Sequence, residues 1–330
     1  MSSEKRLLNY ALAINEALSQ SMEADDSVFL IGQGLKSPWY VGQTCKGLLE
    51  SFGERRIIDT PVSENAVTGA AVGAALAGMK SVVVHPRVDF MLYALDPVIN
   101  QAANWHYMNG GRASVPVVIW GIINRGGEQA AQHSQSLHAM FAHIPGLKVV
   151  MPSTPHDAKG LMVAAIRDPD PVVFMDDRWL YGVEDHVPEE IYEVQIGKAC
   201  VRREGRDLTV VASSYVAHEA CLAGIALEKE GVSVEVIDLR TIKPLDEECI
   251  LASVAKTGRL LVVDGGWKSF GVSAEIAARV AENIMPKMKA PVRRLALPDV
   301  PAPASNCLES AYYIRSEHIM DAAMELVGLS

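Results

Sequence analysis

Short apolar runs, separated by stretches of helical pattern, recur through this chain and confine it to one class of architecture. Val28-Phe29-Leu30-Ile31, Ile57-Ile58, Val82-Val83-Val84, Val115 to Trp120, Leu147 to Val150 and Val172 to Met175 are too short for helices and rich in β-branched residues. Helix-patterned segments such as 158–167 alternate with them. Runs that are apolar throughout, alternating with helices, build a parallel sheet covered on both faces. The composition turns polar and acidic over 181–193, around Pro188, and a second series then begins. It places strands at 208–212, 234–239 and 260–263, and helices over 217–229, from Asp246, and over 272–281. Right-handed crossovers make this second sheet mostly parallel too. The expected fold is α/β with two domains, 1–188 and 189–330, each a mostly parallel sheet flanked by helices. A length of 330 residues, 49% of them hydrophobic, suits two ordinary cores.

One stretch stands apart. Asp59-Thr60-Pro61-Val62-Ser63-Glu64-Asn65 leads into Gly69-Ala-Ala-Val-Gly73-Ala-Ala-Leu-Ala77-Gly78, nearly free of side-chain bulk. Helical spacing aligns Gly69, Gly73 and Ala77 on one face, where another backbone can approach closely. A carboxylate at the head of such a seam is expected to be poorly solvated, which favours its neutral form and suits proton transfer. The plainer reading of the same residues is a helix start, with Ser63 as cap and Glu64 near the positive end of the dipole.

Composition excludes several functions. A formal charge of −10 disfavours nucleic acid and anionic membranes as partners. Cys45, Cys200, Cys221, Cys249 and Cys307 are scattered, with no zinc-ligand spacing, which fits buried thiols in a reducing, cytoplasmic compartment. The N-terminal charges lead into an amphipathic helix pattern, so a secretory signal is not expected. The most apolar window, 67–84, is rich in Gly and Ala and interrupted by Lys80, as in a buried soluble segment.

Read in order, Arg56-Ile-Ile-Asp59-Thr-Pro-Val-Ser-Glu64, the Gly/Ala run, Ala131-Gln132-His133-Ser134-Gln135, Pro145-Gly146-Leu147-Lys148-Val149-Val150, Asp238-Leu-Arg-Thr-Ile-Lys-Pro244-Leu-Asp246 and Val263-Asp264-Gly-Gly-Trp267 resemble one family. It is that of the β subunits of thiamine-diphosphate-dependent 2-oxoacid dehydrogenases (E1), pyruvate dehydrogenase E1 β included, related to the transketolase central and C-terminal regions. The resemblance spans about Ser27 to Leu326 and implies a pyrimidine-binding domain followed by a transketolase C-terminal-type domain. It implies thiamine diphosphate as cofactor, with Glu64 as the acid that hydrogen-bonds the pyrimidine ring nitrogen. His133 takes the place of the histidine that assists proton transfer at the reacting carbonyl; without the family, a loop histidine beside two amides reads as a structural hydrogen-bonder. His138 and His143 read as packing or capping residues. Gln33 stands where many members carry an acid near the pyrimidine, so a relay through that acid does not carry over. No Gly-Asp-Gly motif followed by Asn occurs, so Mg²⁺ and the diphosphate are expected on a separate α subunit in an α2β2 heterotetramer. Val117, Ala165, Ile166, Asp168 and Asp170 match positions where relatives hold potassium through backbone carbonyls; the residues alone read equally as a helix end with solvated acids. The family docks a lipoyl acyltransferase (E2) on its second domain, where Trp267, Phe270 and the 298–303 turn lie; packing is the expected role of the two aromatics.

The activity implied is decarboxylation of a 2-oxoacid with transfer of the acyl unit to a lipoyl carrier. A two-component, transketolase-like synthase passing a two-carbon unit to an aldehyde or carrier protein shares the same chemistry. A non-catalytic scaffold conflicts with retention of both Glu64 and His133. The chain departs from its family at Val84-His85-Pro86-Arg87, where relatives place an apolar and aromatic wall. Pro86 stiffens this turn, and Arg87 offers a fixed cation for carboxylate or phosphate, with Arg125 in a neighbouring loop. His85, Arg87 and Arg125 are therefore candidate substrate contacts, and a polar or anionic substrate is expected in preference to a branched aliphatic 2-oxoacid. Pairing of Arg87 with Asp89 or with an α-chain acid is the competing expectation.

Overall fold

A computed structural model describes residues 6–329. The first five residues, including most of the N-terminal charge cluster read above, lie outside the described residues. The chain packs as two units: residues up to Asn124 with Met140–Ile196 form the first, and Arg125–Ala139 with the remainder from Gly197 form the second. Residues 189–196, beyond the expected boundary, thus pack with the first unit. The loop carrying His133 packs with the second.

In the first unit, six strands run parallel in the order Lys148–Val150, Val172–Asp177, Val117–Ile123, Lys80–His85, Val28–Gln33, Ile57–Thr60. The central runs are buried on both faces, Val82, Val83 and Val84 being at most 2% exposed, as helix-covered parallel strands must be. Side-chain-free backbone makes one close approach possible. A Cβ on Gly32 would lie 2.4 Å from the carbonyl oxygen of Val84 on the paired strand. Helix Tyr10–Ala24 packs on helix Pro155–Arg167, where Lys159 is fully buried. Its ammonium pairs with Glu16 at 2.6 Å and donates to the carbonyls of Pro188, Glu189 and Glu190. The helix expected from Asp96 begins as a π-helical stretch, Asp96–Ala102, and continues as the α-helix Ala103–Met108.

The second unit holds a five-stranded sheet ordered Arg293–Leu297, Leu260–Trp267, Leu208–Ala212, Val234–Asp238, Cys200–Arg203. Three of its pairings are parallel, and the edge strand Cys200–Arg203 is antiparallel. Trp267 packs as expected, its indole donating to the Val300 carbonyl at 3.0 Å and to the Tyr312 hydroxyl at 3.1 Å. Phe270 does not: it is 99% exposed, at a φ of +55°. The five cysteines are free thiols. No helix among the described residues is long and apolar enough to cross a membrane.

Candidate active site

In the first unit the parallel register sends every strand end to the same edge of the sheet, where ligands of open α/β folds are usually held. Gln33 pairs with Thr60, Gly32 with Val84, His85 with Gly121 and Ile123 with Asp177. Glu64 therefore lies four residues past one strand end, Arg87 two past the next, and Arg178 directly after a third.

Glu64 opens helix Glu64–Leu76 and is half-buried. Ser63 makes no side-chain cap bond, so the plain capped-helix reading fails at its first residue. The Glu64 carboxylate makes no hydrogen bond or ion pair with any described residue, which leaves it available to a ligand. The tight seam expected along Gly69, Gly73 and Ala77 is not closed within this chain. All three are exposed, and a Cβ on Gly69 or Gly73 would meet nothing within 4 Å. Burial comes instead from the opposite face, through Thr68, Ala71, Val72 and Ala75. The turn before this helix has a function that its sequence did not disclose. Asp59 accepts hydrogen bonds from the backbone N–H groups of Gly34 at 2.7 Å, Leu35 at 3.3 Å and Lys36 at 3.4 Å. It thereby fixes the loop after strand Val28–Gln33. Gly34, at φ +71°, lets the Tyr40 ring approach, since a Cβ there would lie 2.6 Å from Tyr40 Cδ2.

His85 is buried, and its Nε2 lies 3.2 Å from the Thr68 hydroxyl. Burial lowers its pKa to about 4, so the imidazole is neutral near pH 7. Arg87 is 7% exposed, and its NH1 donates to the Pro86 carbonyl at 2.7 Å. No ion pair joins it to Asp89 or to any other described carboxylate. Arg178, which the sequence reading passed over, is half-buried, and its charge adds to burial in lowering the pKa of Arg87. Its NH2 donates to the carbonyls of Trp39 and Tyr40, and its guanidinium lies 6.0 Å from the Tyr181 ring centroid. On the adjoining strand, Asp176 accepts from the Trp120 indole at 2.7 Å, and burial pushes its pKa up to about 6.

The second unit carries His133, half-buried in a turn whose N–H reaches the Ala130 carbonyl at 3.4 Å. Arg125 NH1 donates to the Gly265 carbonyl at 2.7 Å, so at least one of its donors is spent on the protein itself. The same loop is pinned by a buried chain of bonds. Ser136 Oγ lies 2.9 Å from His138 Nδ1, and His138 Nε2 lies 2.9 Å from Asp264 Oδ1. Asp264 also accepts from the N–H groups of Gly266 and Ser273, and its pKa is lowered. Burial alone would raise that pKa; the imidazole and the two N–H donors outweigh it. His138 is thus a packing residue, as read, but with a specific partner that its sequence position could not reveal.

The five residues matched to a potassium site all belong to the first unit, at the opposite edge of the sheet. Val117 precedes the Val118–Val172 pairing, Ala165 and Ile166 lie in the last turn of helix Pro155–Arg167, and Asp168 caps it. The Asp168 carboxylate is occupied by Lys148, with two bonds of 2.6 Å. Asp170 Oδ1 lies 3.1 Å from His106 Nδ1 without hydrogen-bond geometry. Carbonyls remain as well: the last helical turn lacks intrahelical N–H partners, and Pro169 can supply none.

Family models match both units: the transketolase pyrimidine-binding domain over residues 7–183 and the transketolase C-terminal domain over 197–319. Among curated proteins, the acetoin:2,6-dichlorophenolindophenol oxidoreductase subunit beta of Cupriavidus necator is 44% identical, covering 96% of this chain and 97% of its own. The 2-oxoisovalerate dehydrogenase subunit beta of Bacillus subtilis is 40% identical over 97% and 98%. The mitochondrial pyruvate dehydrogenase E1 component subunit beta of Drosophila melanogaster is 42% identical over 96% and 88%. A solved split-gene transketolase, described as an inactive beta4 tetramer, shares the fold with a TM-score of 0.79 at 19% identity, over 98% of this chain and 99% of its own.

Proposed function

We propose a function for this chain from the premise that it belongs to the family of E1 β subunits of thiamine-diphosphate-dependent 2-oxoacid dehydrogenases. It is the β subunit of such an enzyme and acts with an α subunit. The observation that carries the site assignment is Glu64, a half-buried carboxylate at a helix head, at the ligand-holding edge of the sheet, with no partner among the described residues. That is the state required of an acid waiting for a ligand nitrogen, and on this ground the residues fit the cofactor. Thiamine diphosphate, when bound, supplies the carbon nucleophile that attacks a 2-oxoacid carbonyl and accepts the electrons released with CO₂.

Glu64 holds and shares a proton at the pyrimidine ring nitrogen, orienting that ring. His133 donates and accepts a proton at the substrate carbonyl oxygen. Mg²⁺ and the diphosphate fall to the α subunit, in an α2β2 assembly. Potassium, a weakly demanding cation, fits the carbonyls of Val117, Ala165 and Ile166 and those beside Asp168 and Asp170, the Asp168 carboxylate being taken by Lys148. The acyl unit passes to the lipoyl group of an E2 acyltransferase, and the enzyme works in the cytoplasm. His85, neutral and held by Thr68, shapes the substrate entrance, and Arg87 contacts a polar or anionic substrate. Arg125, bonded to Gly265, is the weakest of the three candidates.

The test is reconstitution with the α subunit. Glu64→Gln is expected to lower turnover by about 10²–10⁴-fold, with the assembly intact by size-exclusion chromatography. An active Glu64→Gln complex refutes the assignment. Arg87 also favours a second reading, a transketolase-like synthase with an aldehyde or carrier-protein acceptor, because a cation at the substrate loop suits hydroxylated or phosphorylated two- or three-carbon units. Activity with lipoamide separates the two. A wild type that prefers branched 2-oxoacids to pyruvate and hydroxypyruvate, or a ranking unmoved by Arg87→Leu, removes Arg87 from the substrate site.

A further inference from the structure

The loop ends around Arg87 and Arg178 contain more positive charge than their ion pairs account for. Gly121, at the centre of the sheet, pairs with His85 on one side and with Met175 on the other. Arg87 and Arg178 therefore emerge from two strands that flank the same central strand, at the same edge. Neither guanidinium forms an ion pair with a carboxylate among the described residues. Arg87 gives NH1 to one carbonyl, and Arg178 gives NH2 to two. The Nε of each is buried without a hydrogen-bond partner. An arginine cannot shed its proton to escape such a place. A buried charge without a counter-ion is costly, and so is a buried donor without an acceptor.

The nearby acids do not answer this need. Asp177 accepts from the Trp179 N–H at 3.1 Å, Asp176 is held by Trp120, and Asp89 forms no ion pair with Arg87. Desolvation and the positive charge of Arg178 both depress the pKa of Arg87, opposed by the charge of Asp89. The Arg178 guanidinium is positioned by the Trp39 and Tyr40 carbonyls, with the Tyr181 ring beside it. Two fixed forks with unspent donors and no carboxylate form a receptor for an oxyanion.

We propose that Arg87 and Arg178 together bind an oxyanion, a carboxylate or phosphate, carried by the small-molecule substrate in addition to the carboxylate it loses. The proposal rests on the assignment of Arg87 to the substrate site and adds the second arginine and the class of ligand.

The test uses the reconstituted α/β enzyme as wild type, Arg178→Gln, Arg178→Lys and Arg87→Gln, with inorganic phosphate as probe in calorimetry at fixed ionic strength. Wild type is expected to bind phosphate, and Arg178→Gln to bind it about tenfold or more weakly, as loss of a charge-assisted contact predicts. Arg178→Lys, which keeps the charge but loses the fork, falls between. In parallel, kcat/KM for 2-oxoglutarate and for phosphohydroxypyruvate, each divided by that for pyruvate, is expected to fall about tenfold in Arg178→Gln through KM. A fall for only one of the two identifies the anion as carboxylate or phosphate. Phosphate binding that is absent from wild type, or equal in wild type and Arg178→Gln, overturns the proposal. So does dissociation of the α subunit in either glutamine variant without a change in phosphate binding, which would assign the arginines to a partner's acid. Arg178 is half-buried, so its variants keep the test open if Arg87→Gln fails to fold. An active Glu64→Gln enzyme beside a wild type that binds phosphate through Arg178 defeats the catalytic reading alone; an inactive Glu64→Gln enzyme beside a wild type that binds no phosphate defeats this proposal alone.

Discussion

Replacing Asp264 by Asn tests whether the buried chain Ser136–His138–Asp264 fixes the loop that carries His133. Asp264 is 4% exposed and accepts three bonds: from His138 Nε2 at 2.9 Å, Gly266 N–H at 2.9 Å and Ser273 N–H at 3.2 Å. Asn keeps the shape and one acceptor oxygen but loses the charge and presents an NH₂ group where an acceptor stood. Each hydrogen bond to a buried charged acceptor contributes about 1.5–3 kcal/mol, and leaving its donors unsatisfied adds to the cost. The retained oxygen recovers part of that, leaving about 3 kcal/mol. A unit of this size loses about 2–4 °C of Tm per kcal/mol, so the second unit should melt about 10 °C lower. The assay is thermal unfolding of Asp264→Asn, His138→Ala and the double variant, in the α/β complex with parallel turnover measurements. The double-variant cycle should show a coupling of about 2 kcal/mol. If Asp264→Asn melts within about 1 °C of wild type, or the two substitutions add without coupling, the bond does not anchor the loop. Acid should act on wild type in the same direction. Against burial, the His138 imidazole and the two N–H donors hold the folded-state pKa of Asp264 below its unfolded value, so its contribution is full above the unfolded value and is lost as pH falls through the folded one.

Two further outcomes follow from the first unit. His85 titrates at about 4 when folded, against 6.5 for an ordinary histidine, so the unfolded chain binds the extra proton first. Wild type should therefore lose up to about 3 kcal/mol as pH falls from 6.5 to 4, and His85→Gln should flatten that part of a Tm-against-pH curve; an unchanged slope refutes the assignment. Gly32→Ala forces a Cβ to 2.4 Å from a strand carbonyl and should destabilise by about 1–3 kcal/mol or more in denaturant unfolding, whereas a midpoint equal to wild type would show that the two strands separate easily.

The strands were legible because their runs are apolar on both faces, and the match of Gln33 to Thr60 and of His85 to Gly121 follows once all of them run parallel. Glu64 was legible as a helix-head acid, because a Pro turn and a small-residue run announce it. Arg178 was not, since Asp176-Asp177-Arg178 reads as an ordinary run of charges until the fold places it across a strand from Arg87. Nor could spacing show that Arg125–Ala139 packs with the second unit, or that His138 bonds Asp264, 126 residues away. Contacts that distant in sequence leave no periodic trace. The Gly69–Gly73 face, read as a place for close approach, is exposed in this chain, because the helix buries its opposite face through Thr68, Ala71, Val72 and Ala75.

The parallel first sheet has one more consequence, for how this protein can change. Each side chain of the first unit assigned here to a ligand stands one to four residues beyond the last residue of a strand, at 64, 87 or 178, and His85 is itself the last residue of its strand. The strands behind them supply the cohesion and take no part in recognition. Selection can thus rewrite what the molecule accepts by trying alternatives at a handful of addresses, set along one edge of the sheet though well separated in the gene, while the scaffold that holds them stays untouched.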